Sequence, residues 1–196
     1  MTHTSPPITV VSGLPRSGTS MLMQMLAAAG IPPLTDSVRT PDPDNPQGYF
    51  ELEAVKHTRT DPAWLDRAPG TAVKVIHALL KDLPPTHRYR VIFIHRNLDE
   101  VLASQHKMLE RAGRSGARLN PDALKQIFAA QLDAARAWAA AQPNMSCLDV
   151  HHHDILADPH AQAARIAAFL AIPDKAPAMA AAVESSLYRN RAPRQP

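Results

Sequence analysis

A short strand, a glycine-rich turn and an apolar helix open the chain, and together they restrict its fold more than any other feature. Residues 8–12 are β-branched and suit a buried strand, and residues 20–29 form an apolar helix ended by Gly30. Between them, Gly13 and Gly18 have the spacing of a phosphate-binding loop. In such a turn, backbone N–H groups and the helix dipole converge on one anion. The segment predicts a phosphate or sulfate site in an α/β fold, and a turn without a ligand is the alternative.

This loop departs from the one used by nucleotide triphosphatases. Their motif places a lysine for the terminal phosphates directly after the second glycine, and then a hydroxyl for Mg²⁺. Here Thr19 stands at the lysine position, and the only cation in the loop is Arg16. An arginine fork binds two oxygens of a phosphate or sulfonate at once. The departure therefore favours an anion held without a metal.

Composition indicates an ordinary globular protein. The 196 residues suit one domain, predicted to span 1–196, and 45% hydrophobic with 20% charged residues excludes general disorder. A net charge of +3 with scattered basic residues gives no reason to expect nucleic acid as a partner. There is no membrane-span-length apolar run and no signal-peptide pattern, so we expect a cytoplasmic protein. The single cysteine, Cys147, fits core packing better than catalysis.

Strand-like and helical segments alternate along the rest of the chain. Strands are predicted at 72–76, 90–95 and 146–151. Helices are predicted at 98–112, at 121–141 after an Asn120 cap, at 159–171 after an Asp158 cap, and from Asp174 onward. The alternation predicts an α/β three-layer sandwich around a central, mostly parallel sheet of four to five strands, of the P-loop nucleotide-hydrolase type.

A long irregular segment, residues 31–70, separates the first helix from the second strand. Loops of this length in compact domains tend to bind ligands or to be disordered. Its second half is patterned, and it could open a short helix carrying Glu51 and Glu53. We expect the segment to be a lid or an acceptor-binding loop.

The third predicted strand ends in His95 and Arg96, where a magnesium-dependent P-loop enzyme usually has an aspartate. Eight residues beyond Arg96, Ser104 lies in the next helix, where its hydroxyl can join the guanidinium around a second phosphate. A missing lysine and a missing aspartate together favour a doubly anionic nucleotide bound without Mg²⁺. A plain salt bridge from Arg96 to Asp99 or Glu100 is the alternative.

The residues resemble the sulfotransferases that use 3′-phosphoadenosine-5′-phosphosulfate (PAPS), particularly the short bacterial members. Residues 14–20 resemble the family's loop for the 5′-phosphosulfate, and Arg96 with Ser104 resembles its 3′-phosphate site. Residues 150–159, followed by 165–170, resemble the strand, turn and helix that come after the nucleotide site. The resemblance implies transfer of a sulfonate from PAPS to a hydroxyl or amine, with adenosine 3′,5′-bisphosphate (PAP) as product and no metal.

The resemblance also implies residue roles. Arg16 takes the place of the loop lysine of cytosolic members and is a candidate catalytic cation. The other nucleotide-binding residues expected in the loop are Pro15 and four that contribute backbone and hydroxyl donors, Ser17, Gly18, Thr19 and Ser20. Lys74 resembles the family's strand lysine and is a second candidate cation, although a solvent-exposed lysine at a strand end is an equal alternative.

Two residues compete for the general base that removes the acceptor's proton. Glu51 resembles the glutamate of heparan-type members. His77 resembles the histidine of cytosolic members, but in this chain one extra residue separates it from Lys74. We favour Glu51, because a one-residue slip along a strand reverses a side chain's direction. Glu53 has a weaker claim, and a solvated surface charge is the alternative for each carboxylate.

Other polar groups carry weaker expectations. Three consecutive histidines, 151–153, cannot easily form one metal shell, because adjacent residues of an extended segment face opposite ways. His95 is expected to be a buried, satisfied histidine. The family's glycine-rich C-terminal nucleotide loop has no counterpart, so Arg189 and Arg191, with Tyr188 stacking on adenine, are candidates to replace it, and a frayed basic tail is the alternative.

Two other functions remain open from the sequence. One is an atypical P-loop kinase or nucleotide triphosphatase that uses Mg-ATP, and the other is a noncatalytic protein that retained the nucleotide pocket. The sequence does not show whether the acceptor is a small molecule, a glycan or a lipid, nor whether the chain forms a homodimer.

Overall fold

The computed structural model describes residues 5–36, 48–111, 113 and 120–184. Within these ranges the chain forms four strands and six α-helices. The strands are β1 Ile8–Gly13, β2 Ala72–Lys74, β3 Tyr89–His95 and β4 Met145–His151. The helices are α1 Thr19–Ala28, α2 Leu98–Arg111, α3 Pro121–Ala140, α4 His152–Ala157, α5 Pro159–Phe169 and α6 Ala176–Ala181. Short 3₁₀ helices occupy Glu53–His57, Ala63–Arg67, His77–Asp82 and Pro173–Lys175.

The four strands form one parallel sheet in the order β2-β1-β3-β4. Gly13 at the end of β1 lies opposite Ile94 of β3, and His95 lies opposite His151 of β4. Because all strands run the same way, their carboxyl ends meet at one edge of the sheet. The loop after β1 and the turn after β3 are therefore neighbours, which is where open α/β sheets bind their ligands.

Helices cover both faces of the sheet. On one face, α1, α5 and α6 pack against buried side chains such as Val11 and Ile92. On the other, α3 and the 3₁₀ helices pack against Val10 and Phe93. The architecture confirms the predicted α/β fold with a parallel sheet between helical layers.

Most element boundaries agree closely with those predicted from the sequence. The Asn120 side chain accepts a hydrogen bond from the backbone N–H of Asp122, and the Asp158 side chain accepts one from Ala161, so both predicted caps are confirmed. β2 is shorter than predicted and stops at Lys74, and Asp174 lies in a 3₁₀ turn before α6. No helix within the described ranges is long and apolar enough to cross a membrane.

The described part of segment 31–70 is packed into the domain. Pro33 forms a parallel bridge with Ala72, and the buried side chains of Leu52 and Trp64 join the core on the α3 face. The 3₁₀ helix in this segment begins at Glu53, so Glu51 precedes it and is not carried by it as expected.

Candidate active site

The loop after β1 closes tightly because two glycines take conformations that other residues avoid. Gly13 has φ +151°, and a Cβ there would lie 2.6 Å from the carbonyl oxygen of Ile94. Gly18 has φ +104° and caps α1, and a Cβ there would lie 2.5 Å from Cδ2 of His152. Both distances are below normal contact, so the loop requires glycine at both positions. The turn ends at the amino end of α1, where Thr19 and Ser20 begin the helix.

Arg16 extends away from the loop toward α2. Its backbone is left-handed, with φ +73°, and its side-chain Nε donates a 3.0 Å hydrogen bond to Oγ of Ser104. In the reverse direction, Nη1 of Arg96 donates a 3.0 Å hydrogen bond to the backbone oxygen of Arg16. Gln105 adds a 3.4 Å bond from Nε2 to the Pro15 oxygen. These crossed contacts join the two segments that the sequence assigned to separate phosphate groups.

Arg96 lies two residues before α2 and also pairs with Glu100 in the first turn of that helix. Arg96 Nε donates to Glu100 Oε2 at 2.9 Å, and both side chains are nearly buried, at 10% and 6% exposure. The salt bridge that was the alternative explanation for Arg96 is therefore present, with Glu100 as the partner. Arg96 makes this salt bridge and the hydrogen bond to the loop at the same time, so Glu100 orients the guanidinium toward the loop.

Lys74, at the end of β2, is buried at 9% exposure. Its Nζ donates a 3.0 Å hydrogen bond to Ser20 Oγ in the first turn of α1, and a second one to the backbone oxygen of Tyr49. Lys74 is therefore not a solvent-exposed lysine at a strand end. Its ammonium group lies beside the loop and ties the segment that carries Glu51 to it.

Glu51 and Glu53 have different surroundings. Glu51 is partly buried, and its backbone oxygen accepts a 2.8 Å hydrogen bond from Thr35 Oγ1. Glu53 is exposed and forms a 2.6 Å ion pair with Lys56. Of the two carboxylates, Glu51 stands closer in sequence to Tyr49, whose backbone is bonded to Lys74.

His77 begins a 3₁₀ helix after β2 and is buried at 7% exposure. Its Nδ1 lies 3.4 Å from the Gly13 oxygen, and its Nε2 lies 3.3 Å from Oε1 of Gln131 on α3. The expectation about its direction assumed a continuing strand, and that assumption is wrong because β2 ends at Lys74. A cleft of about 370 Å³ runs along this side of the molecule, lined by His77, Leu80, Lys81, Gln131 and Trp138, among others.

His152 lies directly under the phosphate loop, a placement that sequence reasoning missed. β4 ends at His151, so His152 and His153 open α4 and are not part of an extended run, as the sequence analysis assumed. Burial, and to a smaller extent the nearby positive charge of Arg96, lower the pKa of His152 to about 4. The imidazole is therefore neutral near pH 7.

A second polar group lies at the ends of β3 and β4. His95 Nε2 lies 2.9 Å from Asp149 Oδ1, and Arg136 of α3 donates to both carboxylate oxygens. His95 is only partly buried, at 29% exposure, and stacks on His151, so the expectation of a buried histidine is wrong. Burial acts to raise the pKa of Asp149, but the hydrogen bonds from Arg136 and His95 prevail and the net pKa is lowered.

Three other predictions concern the histidine run, Cys147 and the residues near the C-terminus. No cluster of three metal-ligating side chains occurs in the described part of the chain, the histidine run included. Cys147 is half buried against the core, and burial raises the pKa of its thiol, as expected for a packing residue. Tyr188, Arg189 and Arg191 lie outside the described residues.

Comparison with known proteins assigns the chain to one family. The family model described as "Sulfotransferase family" matches residues 48–176, which is more than half of the chain. That range contains Lys74, Arg96 and Ser104 but begins after the phosphate loop. No curated protein sequence matches the chain.

Solved structures show the same fold at low sequence identity. The sulfotransferase domain of the Synechococcus PCC 7002 olefin synthase is 18% identical, with a TM-score of 0.52 over 88% of this chain and 76% of that one. The sulfotransferase domain from the curacin biosynthetic pathway is 15% identical, with a TM-score of 0.53 over 95% and 79%. Retinol dehydratase in complex with retinol and PAP is 17% identical, with a TM-score of 0.51 over 93% and 66%.

Proposed function

Because the chain belongs to the sulfotransferase family, we propose that it transfers a sulfonate from PAPS to a hydroxyl or amine of an acceptor and releases PAP. The crossed hydrogen bonds between the loop and α2 are the observation that carries this proposal. They hold Arg16 and Ser104 within 3.0 Å, and Arg96 within 3.0 Å of the loop backbone. A nucleotide with one anionic group at the 5′ end and one at the 3′ end suits two anion-binding elements that are joined in this way.

The proposed reaction is an in-line displacement at sulfur. The acceptor oxygen or nitrogen forms a bond to sulfur while the bond from sulfur to the bridging oxygen breaks, and that electron pair stays on the 5′-phosphate of PAP. Negative charge grows on the bridging oxygen, so a fixed cation beside it stabilises the transition state. Lys74 is our candidate for that cation, because its ammonium is held at the first turn of α1.

The position of Lys74 also supports a reaction without metal. Ser20 stands where a P-loop triphosphatase has the hydroxyl that binds Mg²⁺. Here that hydroxyl accepts a hydrogen bond from the Lys74 ammonium. The Lys74 ammonium therefore lies next to this hydroxyl and supplies positive charge at the position where a triphosphatase binds its metal.

We propose Glu51 as the base that accepts the proton of the acceptor. His77 is the weaker candidate, because both of its ring nitrogens are near protein oxygens, the Gly13 carbonyl and the Gln131 side chain. Glu51 follows two residues after Tyr49, whose backbone is bonded to Lys74. A carboxylate on this segment can therefore approach an acceptor on the loop side of Lys74.

Calorimetry with PAP, with and without Mg²⁺, tests the donor assignment. We expect binding that does not need the metal and that falls about 10- to 100-fold in Arg96→Ala, the loss typical of a charge-assisted hydrogen bond. Arg59→Ala, which removes an arginine whose side chain is 79% exposed, is the matched control and should bind as the wild type does. A preference for Mg-ATP over PAP would contradict the proposal and favour a kinase or triphosphatase.

A further inference from the structure

Glu51, the proposed base, lies between two anchored points of the chain. Before it, the backbone oxygen of Tyr49 accepts a hydrogen bond from Lys74 at the end of β2. After it, the side chain of Leu52 is buried in the core on the α3 face. Glu51 belongs to no helix or strand, yet its neighbours on both sides are fixed.

Phe50, directly before Glu51, has a left-handed backbone with φ +52°. Bulky residues rarely adopt this conformation, because it costs free energy that surrounding contacts must offset. The Phe50 side chain packs against the core on the α1 face, whereas Leu52 packs on the α3 face. The chain therefore turns sharply at Phe50 and passes from one face of the sheet to the other, with Glu51 at the crossing.

Two residues of an earlier segment hold the backbone that follows this turn. Thr35 Oγ1 donates a 2.8 Å hydrogen bond to the backbone oxygen of Glu51, and the backbone nitrogen of Asp36 lies 3.4 Å from the same oxygen. Asp36 Oδ2 accepts a 2.6 Å hydrogen bond from the N–H of Glu53. These contacts fix the orientation of the peptide group after Glu51 and of the next one.

The segment that carries this pair is itself bonded to β2, the strand that ends at Lys74. The N–H of Leu34 donates a 2.7 Å hydrogen bond to the backbone oxygen of Ala72, the first residue of that strand. The strand therefore supports the backbone around Glu51 from two directions, through Lys74 on one side and through Thr35 on the other. The base segment and the candidate cation are positioned relative to the same strand.

We propose that Thr35 and Asp36 are positioning residues for sulfonate transfer, which fix the backbone of Glu51 so that its carboxylate is directed at the acceptor. This inference rests on the proposed function and on Glu51 as its base. Both residues act through Glu51 and not on the reacting atoms. Their loss lowers the rate of transfer and leaves the affinity for the nucleotide unchanged, because the nucleotide is held by the loop and α2.

Thr35→Val removes the hydroxyl and keeps the shape of the side chain. We expect kcat to fall about 10-fold, the effect of losing one hydrogen bond that holds a catalytic group in place. KM for PAPS and the affinity for PAP should stay within about twofold of the wild type. Thr35→Ser, which keeps the hydroxyl, should restore most of the rate. Transfer is measured with labelled PAPS, a panel of phenols, sugars and amines, and water as the slowest acceptor.

Thr60→Val is the matched control for this change. Thr60 Oγ1 also donates to a backbone oxygen, that of His57 at 3.1 Å, but at an exposed position. Thr60→Val should therefore keep the wild-type kcat. Thermal melting of each variant checks that it is folded.

A second pair of variants tests the other half of the contact. Asp36→Ala should lower kcat about as much as Thr35→Val does, because the Glu53 N–H loses its acceptor. Asp36→Asn keeps an acceptor oxygen for that N–H and should recover most of the lost rate. If Asp36→Asn is as slow as Asp36→Ala, the charge of Asp36 and not its backbone contact matters, and its positioning role is overturned.

A double variant separates positioning from a general loss of structure. In a Glu51→Gln background, Thr35→Val should cause no further loss of transfer, because the residue through which it acts is already changed. A loss as large in this background as in the wild type would overturn the inference, since Thr35 would then act independently of Glu51.

The remaining outcomes distinguish this inference from the proposed function. If the wild type binds PAP and transfers sulfonate, but kcat is unchanged in Thr35→Val and Asp36→Ala, the inference is overturned and the function stands. Full activity in Glu51→Gln has the same consequence. If the wild type does not bind PAP, or transfers sulfonate to no acceptor, water included, both are overturned.

Discussion

Glu51 and His77 are the two candidates for the base of the proposed reaction, and their surroundings in the structure differ. His77 is buried with both ring nitrogens within 3.4 Å of protein oxygens, whereas Glu51 is partly buried on the segment tied to Lys74. A base must reach the acceptor's proton in a ligand-bound site. His77 would first have to release Gln131 or the Gly13 carbonyl, so its present contacts suit support of the loop.

Replacement of Glu51 by Gln should therefore abolish most turnover while PAP binding remains. We expect a loss of about 10²- to 10⁴-fold, the usual contribution of general base catalysis. Turnover is measured with PAPS and a panel of phenols, sugars and amines. Glu53→Gln, which removes the exposed partner of Lys56, is the control and should remain active. Full activity in Glu51→Gln together with loss in His77→Gln would assign the base to His77 instead.

At the level of elements, Asp149 links the edge strand β4 to β3 and α3. Its carboxylate receives hydrogen bonds from Arg136 at 2.7 Å and contacts His95 at 2.9 Å. The three residues come from β3, β4 and α3, and His95 is the last residue of β3, directly before Arg96. The group therefore fixes the carboxyl end of β3, from which the turn to α2 begins.

Loss of the Asp149 charge should destabilise the fold modestly and in a pH-dependent way. The pKa of Asp149 is lowered in the folded protein. The contribution of its carboxylate to the free energy of unfolding is therefore complete above the ordinary carboxyl pKa and is lost as the pH falls through the lowered value. Asp149→Asn should cost about 1 kcal/mol at pH 7, a figure reduced for its partial exposure. Urea unfolding at pH 7 and pH 3 measures the difference, which should shrink at the lower pH. Asp133→Asn, on the exposed side of α3, should show no such effect.

For the molecule as a whole, the neutral His152 makes the native state sensitive to acid. Its ring fills the space beside Gly18, and its pKa is about 4 when folded against an ordinary value of 6.5. Between these values the unfolded chain binds one more proton than the folded chain does. The free energy of unfolding therefore falls as the pH is lowered from 6.5 toward 4.

This group alone should remove on the order of 3 kcal/mol of stability over that interval. Urea denaturation at several pH values between 4 and 7 measures the slope, and His152→Gln should flatten it. His153→Gln is the matched control, because His153 is the exposed neighbour on the same helix and should keep the wild-type slope. A slope that is equally steep in His152→Gln would show that other groups cause the acid sensitivity.

Much of the fold could be predicted from the sequence because its signals are local. The β-branched runs of the strands, the caps at Asn120 and Asp158, and the glycines of the loop act within a few residues of their own position. The positions of Arg96 and Ser104 beside the loop were predictable as well, because a sequence pattern there combined with the strand order. His77 was harder, because the end of β2 at Lys74 depends on which strand it pairs with.

The sequence alone thus determined the fold class, the glycine-rich loop after the first strand and the resemblance to sulfotransferases. Only the tertiary structure decided that Arg16 meets Ser104, 88 residues away, that Lys74 meets Ser20 across 54 residues, and that His152 lies beneath Gly18. Strand formation and capping depend on neighbouring residues, so a sequence pattern suffices for them. Contacts between distant side chains depend on the sheet order β2-β1-β3-β4 and on where each strand ends, and no local pattern carries that information.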